Sequence, residues 1–210
     1  MDHHDGPAPD ASAEAARDSA GSAADRRAVI VLAHLFAAVS AFSVWAAADA
    51  WQAVTRLPAA GVLSVLAALP AGFVFATLVH EWGHFTGARV SGARYTVPAR
   101  VGLYAFDYDF GANSVPQFLA MSWGGQAGGV VAVLLLVVAL PLDTAGRCMV
   151  VASAVGSFFF AGMIEWPVIA RVRRSGNPLG ELSRIDRGVI RRSAATGAVA
   201  VAAAWFVLAF

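Results

Sequence analysis

Five long apolar runs divide the chain, separated by shorter segments that carry most of its arginine, aspartate and proline. They cover approximately residues 28–51, 59–86, 118–140, 148–170 and 194–210. A bilayer core of roughly 30 Å takes about 20 residues of helix, with about 17 near the lower limit. The pattern therefore predicts five membrane-spanning helices, the last of them the shortest. Residues 1–27 are rich in Ala, Asp, Ser and Gly without apolar periodicity, which predicts a disordered N-terminal tail before a polytopic membrane domain at 28–210. The first run is longer than the roughly 7–15 apolar residues of a signal peptide and follows a partly acidic stretch, so it reads as a retained span. Between the second and third runs the period changes to two. Phe106, Tyr108 and Phe110 alternate with Asp107 and Asp109. This predicts a short β-hairpin-like loop over 95–110, either an edge able to receive an unwound substrate strand or an aromatic belt at the interface.

Composition agrees with the pattern. Of 210 residues, 58% are hydrophobic and 14% charged, against roughly 25% charged in a soluble domain. The fold class is accordingly an all-α integral membrane protein. A net charge of +1 excludes the broad basic field that nucleic acid would need. The single cysteine, Cys148, excludes an intrachain disulfide and a cysteine-based zinc site.

The charge distribution predicts an orientation. Every basic residue is Arg, a bias that fits a GC-rich bacterial genome. Arg26 and Arg27 precede the first run, Arg89, Arg94 and Arg100 follow the second, and Arg171, Arg173, Arg174, Arg184, Arg187, Arg191 and Arg192 follow the fourth. The alternate connections hold Arg56 and Arg147. The positive-inside rule then puts the N-terminus in the cytoplasm, and a bacterial inner membrane is the expected location. In that orientation His80 to His84 and Glu165 lie at similar depth near the cytoplasmic face, since each helical residue rises about 1.5 Å.

His80 and His84 are four apart, so on a helix they share a face and can grip one metal ion. Glu81 sits about 100° round that helix, and in an HExxH motif the Glu takes a proton from the metal-bound water and passes it to the leaving amine. Gly83 leaves room for a close neighbour, while His34 is a possible outer partner in the first span. Among the fourteen acidic residues, Glu81 and Glu165 lie well inside apolar runs and Asp49 near an outer end. A charged group there costs at least ~2.5 kcal/mol on insertion scales and is seldom idle. Hydrolytic zinc sites commonly take three protein ligands. Glu165 is the first choice for the third, with Asn177, Glu181 and Asp186 as alternatives if their loop folds back. The sequence SWGGQAGG opening the third run pairs Gly124 with Gly128 and Gly125 with Gly129, a spacing that lets helices touch backbone to backbone.

His80, Glu81, Gly83 and His84 resemble the H-E-x-G-H motif of the site-2 protease family of intramembrane metalloproteases, and the glycine-rich third run resembles that family's second core helix. The resemblance covers roughly 59–186. Gln126 stands where a proline is usual, and the family's Asn-x-x-Pro and Leu-Asp-Gly segments are replaced. Glu165 and Pro167 occupy the corresponding span, and Ser175 to Pro178 resembles a variant form in which the acid aligns with Asn177. The resemblance implies one Zn2+ ion and cleavage of transmembrane protein or peptide substrates near the cytoplasmic face. Two other expectations stand beside it: an inactive homologue that binds membrane partners, and a metal transporter, which would need a file of ligands across the bilayer.

Overall fold

The structure, a computed structural model, describes residues 11–210, with side-chain environments from residue 21 onward. His3 and His4 lie outside the described residues. The elements in order are α1 (Ala11–Thr55), α2 (Pro58–Val90), β1 (Tyr95–Thr96), β2 (Asp107–Tyr108), α3 (Val115–Ala139), α4 (Ala145–Ser175), α5 (Pro178–Leu182) and α6 (Arg187–Ala209). Among the described residues, α1, α2, α3, α4 and α6 are long and apolar enough to cross a membrane. This is an all-α, multi-pass membrane protein.

Each break between helices has a local cause. Arg56 turns the chain with a φ of 55°, and Pro58 starts α2 at a position where its missing N–H costs nothing. The side chain of Gln117 accepts the Ser114 N–H at 2.9 Å at the start of α3. Thr144 caps α4 by accepting from the Arg147 N–H, and Gly176 ends it with a φ of 67°, a conformation glycine adopts without strain. Asp186 caps α6.

The helix α2 lies at the centre, against α1, α3 and α4, while α6 packs on α4. Small residues make these contacts close. Ala60, Ser64, Ala68 and Ala71 of α2 and Val150, Ala152 and Ala154 of α4 are fully buried. Large apolar side chains point outward instead, among them Leu32, Phe36, Leu66, Leu134, Val138 and Phe206. In water such a surface would aggregate, whereas in lipid it is the solvated face. At the end away from the arginine clusters, Arg147 Nε donates to Asp49 at 2.9 Å, with Ser64 and Thr144 each donating at 3.3 Å.

Two details differ from expectation. The irregular tail is corrected over 11–27, which continue α1 upstream of the first span. That stretch is alanine-rich, and a helix already nucleated in the span extends without a second nucleation cost. The loop over 95–110 does contain an antiparallel pair, Tyr95 opposite Tyr108 and Thr96 opposite Asp107, but only two residues long on each side. Its alternation is kept from Phe106 to Asp109, whereas Phe110 is exposed. Phe106 turns inward with Ala88, Ala93 and Ala105 beneath the aromatic rings of Phe85 and Tyr95, while Asp107 and Asp109 are exposed.

Candidate metal centre

Three helices bring the site together. His80 and His84 project from one face of α2 near its C-terminal end, and Glu165 of α4 meets them at the same depth. Glu165 Oε1 lies 2.9 Å from His80 Nε2 and 3.0 Å from His84 Nε2, and the two imidazole nitrogens are 3.0 Å apart. These atoms form a near-equilateral triangle. The Glu81 carboxylate joins both imidazoles in a group whose ligand atoms lie within 4.8 Å of one another. Glu165 is therefore the closer acid, and Glu81 the one beside the triangle.

The third helix, α3, sets the imidazoles. Gly83 packs against Gly124 and Gly128, and Gly87 against Ala120 and Met121, so closely that a methyl group on either α2 glycine would run into α3 backbone. At this separation Nδ1 of His84 donates to the Met121 carbonyl at 3.0 Å. A carbonyl can only accept, so the neutral ring carries its hydrogen there and turns an unprotonated Nε2 to the triangle. Gly125 leaves the space the His84 ring fills, and Gly129 lies beside Phe158 and His80.

Glu165 is oriented in turn. Its Oε2 accepts from Gln126 Nε2 at 2.7 Å, and Gln126 Oε1 accepts from Trp166 Nε1 at 2.8 Å. Gln126 is 4% exposed. In the sequence it is visible only as a departure from the expected proline. The available signal is an uncharged amide among the glycines and alanine of residues 124–129.

The donor set suits a metal. Two imidazole nitrogens and one carboxylate oxygen are the ligand types zinc takes, at roughly 2.0–2.2 Å from the ion. A triangle with edges near 3 Å is small enough for all three to reach one ion. His80 Nδ1, buried and without a hydrogen-bond partner among the described residues, leaves that ring committed only through Nε2. These residues fit a single divalent ion.

The alternative ligands are engaged elsewhere. Asn177 Oδ1 accepts the Gly180 N–H at 3.0 Å, and Asp186 Oδ1 accepts the Val189 N–H at 2.8 Å. Arg171 Nε donates to Glu181 Oε2 at 2.8 Å, with Arg184 Nη1 3.1 Å away. Burial pushes the Glu181 carboxyl up, but the Arg171 hydrogen bond and the nearby arginine charges outweigh it and hold the group below the usual carboxylate range. His34 does not enter the triangle. It accepts from Trp82 Nε1 through Nδ1 at 3.1 Å and donates through Nε2 to the Gly102 carbonyl at 2.8 Å.

His80, Glu81, His84 and Glu165 line a cavity of about 700 Å³. Its lining includes Tyr104, Phe106 and Tyr108 of the loop, Ile164 and Val168 of α4, and Leu182 of α5. Burial pushes the Tyr108 hydroxyl up to about 12, so it stays protonated. Apolar walls around a few convergent polar groups are the usual make-up of a ligand site. Comparison of the chain with family models, curated proteins and solved structures finds no match in any of the three.

Proposed function

We propose that this protein is an intramembrane zinc metallopeptidase that hydrolyses peptide bonds of membrane-spanning proteins or peptides, near the cytoplasmic face of a bacterial inner membrane. One observation carries the reading: the convergence of His80 Nε2, His84 Nε2 and Glu165 Oε1 beside Glu81, on the wall of an apolar cavity. The orientation rests on the arginine distribution, and the resemblance to site-2 proteases supports the same chemistry.

One ion held by His80, His84 and Glu165 would act as a Lewis acid on the scissile carbonyl and lower the pKa of the attacking water. Glu81 takes a proton from that water as its oxygen bonds to the carbonyl carbon. It returns the proton to the amine nitrogen as the C–N bond breaks, and so ends the cycle unchanged. A membrane helix hides its peptide bonds in internal hydrogen bonds, so the substrate must unwind locally before attack. The apolar walls take up the side chains of the unwound segment, and the short strand pair beside them offers main-chain partners.

A transporter asks for ligands along the whole path, whereas the acid at the opposite end, Asp49, is held by Arg147. The complete ligand set favours an active enzyme over an inactive partner-binding homologue. Glu81→Gln tests the choice in cells co-expressing a candidate membrane substrate. Zinc stays bound and cleavage falls by a factor of ~100 or more, the range general-base catalysis supplies. Processing at the parent rate would contradict the proposal.

A further inference from the structure

We infer that Gln126 and Trp166 form a relay that holds the Glu165 carboxylate to a single metal-facing oxygen, and that this relay sets the metal affinity of the site. The inference rests on the metal-site reading above and adds two positioning residues to it.

The argument starts at Trp166, because an indole N–H can donate but never accept. Its partner at 2.8 Å is therefore the oxygen of the Gln126 side-chain amide. That choice leaves no freedom in the amide, and the Gln126 NH2 group must face Glu165. It donates at 2.7 Å to Oε2, the oxygen turned away from the imidazoles. The carboxylate is thus held from behind, with Oε1 left between His80 and His84.

The relay is itself supported. Trp166 neighbours Glu165 on α4, so the path leaves α4, crosses to α3 and returns one residue later. The indole folds back over Gly162, where a methyl group would overlap the ring, and it packs edge-on against Phe158 and Phe159 with centroids 5.8 and 6.1 Å away. Gln126 reaches α4 from α3, and three residues on Gly129 lies where a methyl group would meet Phe158 of α4.

The choice of residue also matters for charge. An arginine at 126 would offset the Glu165 negative charge and weaken its hold on a cation. A neutral amide orients the carboxylate and leaves that charge for the metal. Groups in this outer position commonly change metal affinity about 10–100-fold when replaced.

The test uses full-length protein in detergent micelles, titrated with Zn2+ against a chromophoric chelator and with Co2+ for its visible absorption. Gln126→Met keeps the length of the side chain and removes the hydrogen bonds. Trp166→Phe keeps an aromatic ring and removes the donor. We expect each to weaken Zn2+ binding about 10–100-fold and to change the Co2+ spectrum, with metal-free unfolding midpoints close to the parent. In a single relay the two losses are not additive, so the double variant binds about as weakly as Gln126→Met alone. Parent-like affinity and spectrum in Gln126→Met would overturn the relay and leave the metal site standing. Losses that simply add, or that follow a fallen unfolding midpoint, would also overturn it. A parent protein that binds neither ion removes the metal site and the relay together.

Discussion

His84 is tied through Nδ1 to the carbonyl oxygen of Met121, 3.0 Å away on the neighbouring helix. One imidazole of the triangle is thereby set by the backbone of α3, and the small residues between α2 and α3 gain two separable roles. Gly83 allows the helices to approach, whereas Gly125 makes room for the imidazole.

Alanine at each position distinguishes those roles. A methyl group on Gly83 would meet the Gly124 carbonyl, which cannot move without separating the helices. Gly83→Ala is expected to cost about 1–3 kcal/mol, the usual range for overpacking, and to lower the unfolding midpoint. At Gly125 the methyl meets the His84 ring first. Gly125→Ala should keep the midpoint and lose about tenfold or more in zinc affinity. Equal zinc binding by Gly125→Ala and the parent would show that α3 does not position this ligand.

The loop over the cavity is anchored from the opposite side by His34, whose ring bridges Trp82 and the Gly102 carbonyl. His34→Leu removes both bonds and keeps an apolar side chain of similar bulk. A hydrogen bond contributes about 0.5–1.5 kcal/mol net. Amide exchange over residues 97–106 should then quicken by up to about tenfold for one such bond, with exchange in the core of α2 unchanged. Unaltered exchange in the loop would mean that His34 does not anchor it.

Glu181 gives stability a definite pH dependence. Its folded carboxyl lies below the usual carboxylate range, so its contribution is fully present above the unfolded value of roughly 4.3. That contribution is lost as pH falls through the lower, folded value. Glu181→Gln should therefore unfold more easily than the parent at pH 7, and the gap should close under strongly acidic conditions. A gap that widens on acidification would give the pair with Arg171 the wrong sign.

The spans are legible because lipid imposes a length and a polarity that few other environments do, and each apolar run lies within a helix to within one residue. The pairing of Glu165 with His80 and His84 was legible for a related reason. Acids deep in apolar runs are rare, and depth can be counted from the arginine clusters. Gln126 escaped because its partners lie on another helix and nothing at neighbouring positions betrays them. His34 gave an equally weak signal, since the Gly102 carbonyl it meets is distant in sequence. The upstream extension of α1 is hidden by its polarity: over 11–27 helix propensity and hydropathy diverge, and hydropathy alone gives no helix signal there. Asn177 and Asp186 resembled ligands by residue type, yet each caps a helix, the commoner use of such a side chain beside a helix start.

Metal content of the purified protein tests the central claim most directly. The parent and Glu81→Gln should each carry one zinc per chain, while Glu165→Ala and His84→Ala carry almost none and remain folded. An unloaded parent, or a Glu165→Ala protein that keeps its zinc, would contradict the account.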